Sequence, residues 1–388
     1  MPLEPSTSSG WTGCRPRSAS PALSLLTAIR PTFGLVKPCL TLNLPPGTFS
    51  SPVPIMRDRG IWRSRAEDGP QELSVNALLF RCALLGCLAL SGWACSVRGL
   101  AVNALADSLT STGDVFASDS DPELIRDATP FALKTIESLL AEKPEHRGLL
   151  LAACRGFAQY AFAFVETEAE QLEDTDFAAA SRGYARALQL YLRGRDYCFR
   201  SMELESPGVV ELLKTAPGNA VESFGLDQVP LLFWTGAAWG GAISIGQDRP
   251  DLVADVPAVK ILMNRVMALD EAYDWGAVHG VLIALEAMPE AAGGSAEKAR
   301  AHFDRAVELS HGKSASPYLT FAEAVSVPAQ DWREFRDMLH QALAIDPDSE
   351  PSLRLTNVLA QRRAKWLLTR TEILFLDYEE TEAGEFRD

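Results

Sequence analysis

From about residue 120 onward, apolar side chains recur at three- and four-residue spacing with proline or glycine at the joints, a period that predicts a chain of helices. The stretch SDSDPELIRDATPFALKTIESLLAEKPEH opens with Ser120, Pro122 and Glu123, a capping-box arrangement with proline in the first turn, and closes at Pro144. Further helices are predicted at about 147–172 and 177–204, with the polar EDTD at 173–176 as the turn between them. After an irregular piece, ESPGVVELLKTAPGNAVESFG, the period resumes at about 228–246, 255–269, 274–288, 295–311, 317–325, 331–344 and 350–376. No segment alternates as a strand would, so the fold class is all-α.

A finer spacing runs through this series. Ala132, Ile136, Leu139 and Pro144 stand at intervals of four, three and five, and Phe335, Leu339, Ala342 and Pro347 repeat them. Ala258, Leu262, Arg265 and Asp270 follow the same intervals with substitutions, and Ala299, Phe303 and Ala306 supply the first three positions. This is the second-helix pattern of a tetratricopeptide repeat, in which a small residue admits a neighbouring helix, a large one fills the gap and proline ends the helix. Trp275 and Gly280 fit the first helix of such a unit, with PEAAGG inserted before its second helix. The units are uneven, so the architecture expected for residues 95–376 is a degenerate tetratricopeptide-like helical repeat array. Such units bury their apolar faces only by stacking, and the curved arrays they form bind proteins or extended ligands far more often than they catalyse.

The first ninety residues follow different rules. Residues 1–55 are rich in Pro, Ser, Thr and Gly without an apolar period, a composition that buries too little surface to offset the entropy of ordering, and they are read as a disordered or spurious extension. Residues 56–94, beginning at Met56 with the basic MRDRGIWRSR, carry the order of an export signal: Arg81, an apolar run from Cys82 to Leu90, then Ala94 before Cys95. Cys95 is therefore the expected lipidation site. Leu84-Leu85-Gly86-Cys87 is the rival, with better lipobox letters but a shorter apolar run, and a buried helix of the mature fold is the alternative to both. Residues 377–388 read as an acidic tail.

Charge removes one class of partner. The first 95 residues hold nine Lys/Arg against five Asp/Glu, so of the whole chain's net −15 the remainder carries about −19. That charge repels phosphate backbones and no basic stripe opposes it, which argues against a nucleic-acid partner. Beyond the leader no apolar run is long enough to span a bilayer. Cys154 and Cys198 lie at similar distances from the 173–176 turn, so a disulfide is compatible with an oxidising compartment; two separate buried thiols are the adopted reading. The histidines, His146, His279, His302, His311 and His340, show no ligand spacing and read as surface or packing residues, and no cofactor motif or catalytic motif is present. Glu166 and Glu170, one helical turn apart, are the carboxylate pair a polysaccharide-cleaving enzyme would need, but they read as a solvated face.

VPLLFWTGAAWGGAISIGQD, Val229 to Asp248, stands out after the leader and combines the aromatics Phe233, Trp234 and Trp239 with the small residues Gly236, Ala237, Ala238, Gly240 and Gly241. It reads either as a buried core helix or as the wall of an apolar groove. Trp234 and Trp239 are five positions apart, about 140° around a helix, so they cannot share a face. Trp239, flanked by small residues, is the expected packing residue; Phe233 and Trp234 are the expected ligand-lining pair.

These residues bring a family into view. The segment from CSVRGLAVNALADSL to GLLLAACRGFAQYAFAFV resembles the opening of the TRAP transporter T-component (TatT) family. LLFWTGAAWGGAISI, GGSAEKARAHFDRAVELS and PSLRLTNVLAQRRAKWLL resemble its later signature stretches, and the similarity spans residues 95–376. The family's lipid-bearing Cys opens a sequence like SGCS, so SGWACS, with two extra residues, supports Cys95 over Cys87; residues 1–55 have no counterpart. The resemblance implies a periplasmic lipoprotein, a homotrimer with a pore or cleft lined by apolar residues, working beside the solute-binding protein of a tripartite ATP-independent periplasmic (TRAP) transporter and handling a hydrophobic ligand. Ser96 in place of an Asp after the lipidated Cys favours the outer membrane. The residues alone reach only an exported helical-repeat adaptor, lipid-anchored and not an enzyme. A general envelope scaffold lipoprotein is the alternative.

Overall fold

The computed structural model describes residues 113–378. Cys95 and the segments 1–55 and 56–94 lie outside the described residues, as does the acidic tail beyond Tyr378. Among the described residues every regular element is helical.

The first long helix, α1 (Pro122–Glu142), is capped one residue later than the sequence suggests: Asp121, not Ser120, accepts from the amides of Glu123 and Leu124. Its buried face is Leu133, Ile136 and Leu140, so the repeat register built on Ala132 and Leu139 is displaced by one position at its ends. α2 (Arg147–Gln171) is continuous through a π-helical turn at Ala161–Glu166. Its length and apolarity suffice to cross a membrane, contrary to the run-by-run reading of the sequence, yet its apolar side chains are core: Leu149, Leu150, Ala153, Phe157 and Ala161 are buried. Leu172 ends it, and Asp176 caps α3 (Phe177–Glu205) by accepting from the Ala179 amide, which makes 173–176 the hairpin turn that the polar EDTD foretold.

α2 and α3 approach closely because Gly194 has no side chain; a Cβ there would meet the Cys154 carbonyl at 3.0 Å and the Phe157 Cβ at 3.3 Å. That approach brings the Cys154 and Cys198 Cα atoms to 5.4 Å, and the two are joined as a disulfide, which corrects the expectation of separate thiols.

α4 (Val229–Ile245) has Pro230 in its first turn and is buried on nearly every side, packed against α2, α3 and α5 (Val256–Leu269). α6 (Tyr273–Glu286) is likewise enclosed, because it serves two cores: Val278, Val281, Leu282 and Leu285 pack with α3–α5, while Ile283 packs with the helices that follow. Those are α7 (Ala296–Leu309), α8 (Ser316–Phe321, continued by a second π turn at Ala322–Ser326), α9 (Trp332–Ala344) and α10 (Arg354–Leu368). The spacing residues Ala299, Phe303 and Ala306 on α7, and Phe335, Leu339 and Ala342 on α9, are all buried. On α5 the third position belongs to Val266 rather than to Arg265, which instead donates to the Phe224 carbonyl. The single helix expected over 350–376 is divided into a 3-10 turn at Pro351–Leu353, α10 and a short helix at Thr371–Leu374.

The order of contacts is mostly sequential, but the last helix returns to the first. α10 touches α1 and the short helix Gly113–Ala117 that precedes it. Arg354 donates to the Ser118 carbonyl, Arg362 pairs with Glu123, and Arg370 pairs with Asp174 in the α2–α3 turn.

Candidate functional site

The aromatic pair singled out in the sequence sits in the first half of α4. Phe233 meets Trp234 edge-on with ring centres 5.2 Å apart and meets Tyr273 at 5.4 Å, and the Arg155 guanidinium lies 5.5 Å from the centre of the Trp234 ring. Burial holds the Tyr273 phenol above its ordinary range, outweighing the opposing influence of the neighbouring Trp234 and Arg155. Trp239 is fully enclosed, its Nε1 donating to Asp255 Oδ2 at 3.2 Å and its ring meeting the edge of Phe199, whereas Trp234 keeps 9% of its surface. The pair expected to line a ligand site is thus packed with Tyr273 and Arg155, two partners that sequence reasoning missed.

Beside this cluster the backbone is strained. Asp274, Trp275 and Gly276 are all left-handed, with φ of 48°, 61° and 80°, so the regular part of α6 begins after them and Trp275 stands outside the helix its spacing suggested. Only Gly276 adopts this conformation without penalty. Asp274 is open to solvent on one side and crowded by protein on the others; the crowding raises its carboxyl above the usual aspartate value against the opposing charge of Arg155.

A cavity of about 380 Å³ lies where α1, α2 and α3 meet, walled by Pro130, Tyr160, Phe164 and Val165 and edged by Arg126 and Arg186. Arg186 lies over the Tyr160 ring, while Arg126 is paired with Asp127 and Glu168. The π turn supplies Phe164 and Val165 to the cavity and directs the next residue, Glu166, to the interior.

Glu166 and Glu170 are therefore not a solvated face. Both are buried, and a third buried carboxylate, Glu323 of the second π turn, joins them around Arg363 of α10. Arg363 Nη2 is 2.6 Å from Glu170 Oε2 and 2.8 Å from Glu323 Oε1, and Tyr191 donates to Glu166 Oε2 at 2.5 Å. Burial pushes Glu166 and Glu170 each up to about 7 despite Arg363, and raises Glu323 as well.

A family model for the TRAP transporter T-component matches residues 118–375. The chain belongs to the TRAP transporter T-component family. An uncharacterized protein of Treponema pallidum (strain Nichols) is 32% identical over 315 residues, covering 76% of this chain and 97% of that protein. The T-component match contains all three features just described: the α4 aromatics, the strained entry to α6 and the carboxylate cluster. The stretches that resemble T-component signatures fall on α4, on the capped start of α7, where Ser295 accepts from Lys298, and on α10 with Arg362 and Arg363.

The T-component's histidines divide between the surface and packing roles, with His311 and His340 exposed. His279 is buried on α6 with Nδ1 2.9 Å from His302 Nδ1 on α7 and Nε2 3.2 Å from Glu271. Burial lowers both imidazoles below the ordinary histidine value, so the pair is neutral at pH 7. Among the described residues no group of three His, Cys, Asp or Glu side chains is arranged to hold a metal ion.

Proposed function

We propose that this T-component is a periplasmic lipoprotein, anchored through Cys95, that docks the solute-binding protein of a TRAP transport system and passes it a hydrophobic ligand. Membership of the family carries a role in TRAP transport. The observation that supports the ligand is the Phe233–Trp234–Tyr273 cluster, three aromatic rings packed together beside Arg155 and a strained turn, with 9% of Trp234 reaching solvent. The Cys154–Cys198 disulfide supports an oxidising compartment outside the cytosol. On this reading the protein binds and docks rather than catalyses, its helices form a degenerate tetratricopeptide-like array, and three copies assemble as a homotrimer on the outer membrane.

Native co-purification from the producing cell, with cross-linking before lysis, tests the docking partner. Recovery of a solute-binding protein is the expected result; recovery of cell-wall or assembly factors alone would favour a general envelope scaffold. Fluorescence titration with a fatty-acid-like probe tests the ligand: Trp234→Ala is expected to weaken binding far more than Trp239→Ala, and no saturable binding by the wild-type chain would remove the claim. Labelled palmitate is expected in the wild-type chain and absent from Cys95→Ala.

A further inference from the structure

We propose that Glu166, Glu170 and Glu323, gathered around Arg363, form a proton-operated latch that holds α10 against the α2–α3 hairpin when two of the three carboxyls are protonated and loosens it when they ionise.

The geometry sets the charge balance. Three carboxyls and one guanidinium occupy a site where each of the four residues is at most 5% exposed. With all three ionised the site carries two uncompensated negative charges, which a low-dielectric interior does not tolerate. With one ionised, Arg363 is neutralised and the other two carboxyls carry protons. Among the described residues Arg363 is the cation that acts on these carboxyls: α3 contributes Tyr184 and Tyr191, both neutral phenols held above their ordinary range mainly by burial, and the hairpin turn contributes Glu173, another acidic residue. The Arg370–Asp174 pair, at the edge of the same contact, is already balanced.

The same cluster spans the closure of the molecule. Glu166 and Glu170 belong to α2, Glu323 to the π turn after α8, and Arg363 to α10, so ionisation acts between elements distant in sequence. Both carboxylate-bearing π turns place a glutamate inward where an uninterrupted α-helix would have turned it elsewhere. Residues adjacent to Glu166, Phe164 and Val165, wall the α1–α3 cavity, which links the state of the latch to that cavity's shape.

The direction of the effect follows from proton binding. An exposed glutamate releases its proton near 4.5, whereas Glu166 and Glu170 hold theirs up to about 7 in the folded chain. Between those values the closed state binds more protons than the open one, so closure weakens as pH rises through the window and changes little above it.

Hydrogen–deuterium exchange of the full chain at pH 5.5 and pH 8, corrected for intrinsic rates and read on peptides from α10, tests the latch. Wild-type α10 is expected to exchange at least about tenfold faster at pH 8, since each carboxyl proton released changes the closing constant about tenfold per pH unit within the window. In Glu170→Gln, and separately in Glu166→Gln, that difference is expected to shrink and α10 to be better protected at pH 8. Equal protection of wild-type α10 at both pH values overturns the proposal, and so do Gln variants that keep the full difference. Failure of both variants to fold would show that the cluster needs its charges, and also overturns it.

Discussion

Replacing Trp239 with Ala removes a fully enclosed indole together with its hydrogen bond to Asp255 and its edge contact with Phe199. The expected cost is about 3–5 kcal/mol, read as a fall in the urea midpoint at unchanged slope. Trp234→Ala is expected to cost less, because that ring keeps some exposure and has the Arg155 guanidinium rather than another apolar side chain over one face; equal losses at both positions would count against a lining role for Trp234. The enclosure of Trp239 agrees with its small neighbours Ala238, Gly240 and Gly241, which mark a side on which another helix comes near; Trp234 is buried as well, to all but 9% of its surface. The roles of Glu166 and Glu170 were not legible in the sequence. Spacing places them on one helical stripe, but whether that stripe meets water or Arg363 depends on a helix almost two hundred residues away, and a π turn shifts the stripe itself. Asp274 and Trp275 were equally hidden, because left-handed backbone in non-glycine residues is imposed by the packing around it.

At the scale of elements, apolar period and caps located the helices well, and the boundaries that slipped did so for local reasons: Asp121 outcompetes Ser120 as a cap, and Pro351 divides the last helix. The Cys154–Cys198 bond shows the limit of spacing arguments. Equal distance from a turn puts two thiols at one height, but only the close approach allowed by Gly194 brings their Cα atoms to bonding distance. The bond closes a loop across 44 positions of sequence, for which restriction of the unfolded chain contributes roughly 2–4 kcal/mol. The double variant Cys154→Ala/Cys198→Ala is therefore expected to lose about that much stability under non-reducing conditions. Peptide mapping without reductant should recover the two cysteines as one linked pair; finding both as free thiols would contradict it.

For the whole molecule, what matters is how the last helix is held to the first two. Two kinds of contact do this, and they differ in environment. Arg362 and Glu123 are both about half exposed, so water and salt screen their attraction, and Arg362→Ala is expected to leave the urea midpoint unchanged within error. Arg363 is enclosed, and Arg363→Met, which keeps most of the volume, leaves Glu170 and Glu323 without their counter-charge. Breaking a buried pair from one side costs about 3–5 kcal/mol. The loss should depend on pH in a defined sense: it is greatest at pH 8, where the stranded carboxyls are driven toward ionisation, and diminishes toward pH 5.5, where protonation removes the charge that Arg363 had balanced. Urea unfolding of both variants at the two pH values separates the contributions. A deficit in Arg363→Met that grows in acid, or one no larger than that of Arg362→Ala, would mean that apolar packing of Ala360, Ala364 and Leu367 alone holds α10 in place.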